Sequence, residues 1–111
     1  MTTGADLPFK RGTIELLILK TLSWGAMHGY SVARLIRERS DGAFLIEEGA
    51  LYPALHRLER QGWIESDWGL SENNRKAKFY QLTARGRAQL RAEVATWQRY
   101  TKAVAGVLEP A

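Results

Sequence analysis

The sequence contains no cysteine and only two histidines, His28 and His56, among its 111 residues. Without cysteine there is no disulfide and no thiolate-bound metal, and two histidines that are distant in the chain form no ligand cluster. No segment reaches the roughly 18 consecutive apolar residues of a membrane span. The N-terminus lacks the basic start and apolar run of a secretion signal. These absences predict a cytoplasmic protein that holds no metal and enters no membrane.

The sequence also lacks the motifs of an enzyme. It has no nucleophile and base at a recognisable spacing, no pair of catalytic carboxylates and no phosphate-binding glycine loop. Its glutamates and serines are scattered, as they are in most soluble proteins. We therefore expect neither catalysis nor a cofactor.

What the chain does have is the composition of one soluble domain, with 45% hydrophobic and 25% charged residues. Its net charge of +4 favours a polyanionic partner. The basic residues are concentrated in two places, namely Lys10 and Arg11, and then Arg75, Lys76, Lys78, Arg85 and Arg87. Acidic residues gather instead at 47–48 and 65–67. This asymmetry predicts one positively charged face.

Apolar residues at helical spacing predict three short helices in the first half of the chain. Their apolar positions are Ile14, Leu17, Ile18 and Leu22, then Val32, Leu35 and Ile36, then Leu51, Leu55 and Leu58. Thr13 is the expected N-cap of the first helix. The third helix is expected to start near Gly49 and to end at Gly62, with Pro53 tolerated because it falls within the first turn.

From Trp63 the hydrophobic period changes to two, which predicts a β-hairpin around a turn at 69–74. Thr83 then caps a last helix whose apolar stripe comprises Leu90, Val94, Trp97, Thr101, Val104 and Leu108. The predicted fold is mainly α with a small β-hairpin, in the α+β class. This order of elements is that of a winged helix-turn-helix followed by a long C-terminal dimerisation helix. The expected parts are an N-terminal arm (1–11), the winged helix-turn-helix (12–82) and the C-terminal helix (83–108).

The face of the third helix opposite its apolar stripe is free to enter the major groove of DNA. Recognition helices read base edges from their N-terminal half, so the candidates are Gly49, Ala50, Pro53, His56 and Arg57. Arg57 or His56 could donate to a guanine. A merely solvated helix face has the same pattern, and that alternative stays open.

The predicted β-hairpin, which forms the wing, supplies further candidates. Its residues Arg75, Lys76 and Lys78 can approach phosphates without being buried. A solvated basic turn is the alternative. Tyr30, at the start of the second helix, could place its hydroxyl on a phosphate or be a half-buried core residue.

The stripe on the last helix needs a partner that so small a domain cannot fully supply, and a second copy of the same helix is the prediction. Folding of the helix back onto its own domain is the alternative. Trp97, with Val94 and Thr101 beside it, would then form a flat slot for a planar aromatic effector, or else pack in the dimer seam. Trp24, Trp63 and Trp68 are assigned to packing in the core or the wing.

Three segments resemble the PadR family of bacterial transcriptional regulators: 28–32 (HGYSV), 48–59 (EGALYPALHRLE) and 75–83 (RKAKFYQLT). The single C-terminal helix is similar to the short subfamily that includes multidrug sensors. The resemblance implies a dimeric repressor that binds double-stranded DNA at a palindromic operator and is released by a small aromatic molecule. It also implies phosphate contacts from Tyr30 and Tyr52. Ala50 departs from the family pattern, which commonly has a hydroxyl residue there. The competing function is a winged-helix module that binds protein instead of DNA.

Overall fold

The computed structural model describes residues 7 and 9–110. Its elements in chain order are α1 (Thr13–Leu22), β1 (Met27–His28), α2 (Gly29–Arg39), α3 (Glu48–Arg60), β2 (Ile64–Leu70), β3 (Lys76–Leu82) and α4 (Ala84–Leu108). The predicted α+β class, with three helices, a hairpin and one long last helix, is confirmed. The N-terminal arm predicted over 1–11 lies largely outside the described residues.

One hydrophobic core holds these elements together. Each of α1 to α3 turns one apolar face inward, and the fully buried side chains include Ile18 and Leu19 of α1, Val32 of α2, and Leu55 and Leu58 of α3. Burying a side chain of this size contributes about 1.5–3 kcal/mol. The sheet closes the core with Ile64, Tyr80 and Leu82, and α4 adds Leu90. The start of α4 is therefore part of the same packed domain.

Two of the four helix starts have a side-chain cap, whereas α1 and α3 have none. Thr83 caps α4, since its hydroxyl oxygen accepts from the backbone N–H of Gly86 at 3.0 Å, and His28 caps α2 by accepting from Ser31 N at 3.3 Å. The prediction of Thr13 as an N-cap is wrong, because Thr13 is already helical. The cap position is held by Gly12 at φ 84, a left-handed backbone conformation that favours glycine.

The interior of α3 also differs from expectation at its proline. The helix begins at Glu48, so Pro53 is its sixth residue and lies beyond the first turn. Because proline has no N–H, the carbonyl of Gly49 lacks its usual partner four residues on. Gly49 is exposed, where water can satisfy that oxygen.

The three strands form an antiparallel sheet in the order β1-β3-β2. Strand β1 is only two residues long, too short to carry a period, and the sequence did not predict it. In the hairpin the register pairs Ile64 with Leu82, Ser66 with Tyr80 and Trp68 with Lys78. These pairs share one face of the sheet, as the alternation predicted.

Helix α4 is 25 residues long and extends past the domain that its first turns help to build. Exposure rises along its apolar stripe, from 8% at Leu90 to 42% at Trp97 and 77% at Leu108. The molecule is elongated, with extents of 57 × 36 × 21 Å. The far half of α4 therefore presents apolar side chains that the described residues, 7 and 9–110, leave exposed.

A glycine near the start of α4 is expected to be essential for stability. A Cβ on Gly86 would overlap the carbonyl oxygen of Trp63 and lie 2.8 Å from its carbon. Since both atoms belong to the backbone, the strand end would have to move, and Gly86→Ala should lower the free energy of unfolding by about 2–4 kcal/mol in a urea titration. Gly106→Ala is the matched control in the same helix, where an added Cβ meets nothing within 4 Å. Equal stability of the two variants would contradict this packing.

Candidate nucleic-acid interface

The exposed face of α3 lies opposite the buried residues Leu51, Ala54, Leu55 and Leu58. All five residues predicted to read bases are exposed: Gly49, Ala50, Pro53, His56 and Arg57. At 100° per residue, Gly49, Pro53 and His56 lie in the middle of this face, whereas Ala50 and Arg57 lie on one flank. The middle of the face thus combines the small surfaces of Gly49 and Pro53 with the imidazole of His56 and, at the helix end, the exposed guanidinium of Arg60.

The guanidinium of Arg57 already has a partner. Its Nη2 and Nε donate to Oε2 of Glu15 on α1, at 2.8 Å and 3.1 Å. The pair is partly exposed, and such pairs contribute only about 0.2–1 kcal/mol. A bidentate contact to guanine discriminates by about 1–3 kcal/mol, enough to compete for this side chain. Arg57 would therefore have to leave Glu15 before its guanidinium could donate to a base.

Two tyrosines flank the start of α2. Tyr30 is 68% exposed, which excludes the half-buried core position that the sequence left open. Tyr52 of α3 is partly exposed, and its ring lies 3.2 Å from where a Cβ on Gly29 would be. Glycine at position 29 therefore lets α3 approach α2 closely, and the side chains of both tyrosines are exposed.

The wing is fixed to α3 by a polar contact above the core. Ser66 on β2 donates its hydroxyl to Oε2 of Glu59 at 2.6 Å. Opposite Ser66, Tyr80 is 3% exposed, and burial, followed by the charges of Glu59 and Tyr52, raises the pKa of its phenol above the ordinary value of 10.0. The phenol therefore stays neutral at physiological pH, and the wing keeps a defined position beside the helix.

The predicted basic residues of the wing lie at its outer end. Arg75 and Lys76 are exposed and Lys78 is half-buried. The ammonium of Lys78 lies 5.8 Å from the ring centroid of Tyr80, and that of Lys76 lies 5.3 Å from the ring of Trp68. At least two of these three cations can meet phosphates without desolvation.

Trp68 is the surface residue that sequence reasoning missed. The sequence predicts that Trp68 packs in the core or the wing, yet its side chain is 60% exposed. Trp24 is also exposed, and its ring centroid lies 4.7 Å from the guanidinium carbon of Arg39. Trp63, by contrast, packs against the core as predicted. Strand alternation places Trp68 one step beyond the buried Tyr80 and opposite Lys78, but it does not show where the core beneath that face ends.

An open groove of about 790 Å³ lies between the start of α1 and the middle of α4. Its lining includes Trp97, Tyr100 and Val104 on α4, and Arg11 and Leu16 at α1. The rings of Trp97 and Tyr100 stack at a centroid distance of 6.1 Å. Val94 and Thr101, predicted beside Trp97, do not line the groove. Val94 packs against the core, and the Thr101 hydroxyl donates to the carbonyl of Trp97 at 3.0 Å.

Comparison with known proteins decides which family has this arrangement. The model of the transcriptional regulator PadR-like family matches residues 18–92, from within α1 to the buried start of α4. The chain belongs to the PadR-like family of transcriptional regulators.

Relatives of this PadR-like protein match it over most of their length. A transcriptional regulator from Mycobacterium tuberculosis is 32% identical over 98 residues, which is 88% of each chain. The crystal structure of a PadR family transcription regulator from Clostridium difficile is 31% identical, with a TM-score of 0.78 over 88% of this chain and 100% of that one. A transcriptional regulator from Clostridium thermocellum is 29% identical, with a TM-score of 0.80.

Two further observations concern the part of this PadR-like chain that the structure describes. None of its helices combines the length and the apolar character that crossing a bilayer requires. Over residues 7 and 9–110, no three His, Cys, Asp or Glu side chains come together in a way that could hold a metal ion.

Proposed function

We propose that this PadR-like regulator is a repressor that binds a palindromic DNA operator as a homodimer. The observation that carries the proposal is that one packed domain presents an exposed face of α3, two exposed tyrosines and a basic wing that is hydrogen-bonded to α3 through Ser66 and Glu59. Such a surface fits one side of a duplex, with a helix in the major groove and a wing on the neighbouring backbone. The net charge of +4 is of the sign that this partner requires.

Within this proposal each group has a chemical role. The exposed N-terminal half of α3, comprising Gly49, Ala50, Pro53, His56 and Arg57, faces the base edges, and His56 donates to a guanine. Ala50 and Pro53 have no side-chain donor, so they offer only apolar contact to a thymine methyl group. Tyr30 and Tyr52 place hydroxyls on phosphates, and Arg75, Lys76 and Lys78 hold the backbone through charge.

The dimer rests on the uncovered half of α4. Trp97, Val104 and Leu108 lie on one stripe and are between 39% and 77% exposed, while Leu90 and Val94 at its start pack toward the domain core. A second copy of the helix, related by a two-fold axis, would bury the exposed part of the stripe. The axis would also set two recognition helices about 34 Å apart, one turn of duplex.

The groove at Trp97 supports regulation by a planar aromatic effector. Stacked indole and phenol rings line an open apolar site at the helix that joins the two protomers. A ligand bound between α1 and α4 would alter the angle between the two recognition helices of the dimer. If the ligand binds the altered dimer more tightly than the DNA-bound one, its binding releases the DNA.

Effector binding has a direct optical test in the aromatic dye 1-anilinonaphthalene-8-sulfonate. We expect the dye to quench tryptophan emission of the wild type, and Trp97→Ala to weaken dye binding by about tenfold or more, because the indole supplies much of the apolar lining. Trp24→Phe is the matched control, since it also removes one exposed indole but lies outside the groove. Equal dye affinity in the Trp97→Ala variant and the wild type would place the effector elsewhere or remove it.

Operator binding is tested by recovering the fragments that the protein retains from its source genome. The proposal predicts a recurrent inverted repeat whose half-sites are separated by about one helical turn. Recovery of fragments without a shared motif would contradict sequence-specific regulation by this surface.

A further inference from the structure

The two faces of the wing have opposite chemical character. The register places Trp68 and Leu70 on the same face as Lys78 and Lys76, their respective cross-strand partners. The other face carries the carboxylates of Glu65 and Asp67, together with Phe79 and Gln81 opposite them. Cations and exposed apolar groups are thus separated from the acids by the thickness of one sheet.

The cationic and apolar face is the one turned toward α3. Closer to the domain, the same face carries Ser66, which donates to Glu59 of α3, and the core residues Ile64 and Tyr80. Beyond this point the face extends past the core, so Trp68 and Leu70 are 60% and 67% exposed. Two large apolar side chains therefore project from the α3-facing side of the wing beyond the core, with the ammonium group of Lys76 5.3 Å from the indole of Trp68.

We propose that Trp68 and Leu70 contact the deoxyribose sugars of the DNA strand next to the groove that α3 reads. This inference rests on the DNA-binding function proposed above. The sugars are the apolar part of the DNA backbone and alternate with phosphates, so an apolar pair bordered by Lys76 and Lys78 matches both components. The alternative occupant is a protein whose surface carries acidic groups around an apolar centre. In that case the Trp68 and Leu70 face would be a protein-binding site.

A sugar contact has a signature that a phosphate contact lacks. An indole releases no counterion, so its loss lowers affinity without changing the dependence of log K on log salt, whereas each lost phosphate contact changes that slope by about 0.9. Every nucleotide carries the same sugar, so the loss should also be equal on operator and on random duplex. The ratio of specific to non-specific affinity should stay constant.

The experiment measures binding of the full-length protein to fluorescein-labelled operator and random duplexes by anisotropy, over a range of salt concentrations. We expect Trp68→Ala to lose about tenfold in affinity on both duplexes at unchanged slope, since a large apolar contact disappears from each half of the dimer. Trp68→Phe should retain most of the affinity. Lys76→Ala should flatten the salt slope. Trp24→Ala should change neither affinity nor slope, because its ring lies beside Arg39, at the end of α2 opposite to Tyr30.

Each outcome supports or overturns the proposal. Circular dichroism and urea unfolding establish that Trp68→Ala is folded, and Trp68→Phe tests the contact with a smaller perturbation. Unchanged affinity of Trp68→Ala, a loss accompanied by a flatter slope, or a change in oligomeric state without a change in DNA binding would each overturn the sugar contact while leaving the proposed function intact. A wild type that binds no duplex would overturn both.

Discussion

Replacing Arg75, Lys76 and Lys78 with alanine should lower affinity for operator DNA by at least about a hundredfold at 0.1 M salt. Three cations in each of two wings reach phosphates in the proposed dimer, and each neutralised phosphate contributes to counterion release. The slope of log K against log salt should therefore become shallower by about 5. Fluorescence anisotropy on a labelled duplex between low and moderate salt gives both quantities.

The control for net charge removes three cations from another exposed surface. Arg91, Arg99 and Lys102 are exposed on α4, away from its apolar stripe. Their replacement with alanine should leave the slope nearly unchanged. If both triple variants lost affinity equally, the cations of the wing would act only through the net charge of the protein and not through contacts with particular phosphates. If neither lost affinity, the wing would make no phosphate contacts, whereas a wild type without measurable duplex affinity would favour a winged-helix module that binds protein.

The second large effect is expected at the far end of α4. Val104→Asp combined with Leu108→Asp should convert the dimer to a monomer, because two carboxylates in each helix would have to be buried in the seam. Operator affinity should then fall by about a hundredfold or more, since the second half-site is no longer bound at a high effective concentration. Light scattering reports the mass, and anisotropy reports the affinity.

Charge alone is controlled within the same helix. Ala95 and Ala103 are exposed on the side of α4 opposite the stripe, so Ala95→Asp with Ala103→Asp adds the same two charges without entering the proposed seam. This variant should remain a dimer. A wild type that is monomeric at micromolar concentration would contradict the proposed assembly, as would a dimer that persists in the Val104 and Leu108 variant.

The fold could be predicted where a long element repeats its pattern. Helix α4 repeats its stripe from Leu90 onward, and the hairpin alternates through seven residues on each strand. Strand β1 could not be predicted, because Met27 and His28 form no period and their pairing depends on β3, some fifty residues later. Local capping chemistry succeeded at Thr83 and failed at Thr13, where a left-handed glycine took the cap position instead.

The candidate site could be predicted in residue type and face but not in side-chain partners. Periodicity places His56 and Arg57 on the outside of α3, yet the bond of Arg57 to Glu15 joins residues 42 positions apart and depends on how α1 packs. The groove at Trp97 likewise depends on the start of α1, which local sequence around α4 does not contain. Trp68 was misassigned because strand alternation gives the face of a side chain and not where the core beneath that face ends.

The most direct measurement compares binding to the inverted repeat recovered from the source genome with binding to a shuffled duplex of equal length at moderate ionic strength. A PadR-like regulator that reads bases with α3 and binds as a two-fold dimer should prefer the inverted repeat by about a thousandfold or more. Equal affinity for the two duplexes would contradict base readout by α3 and, with it, the proposed regulatory function.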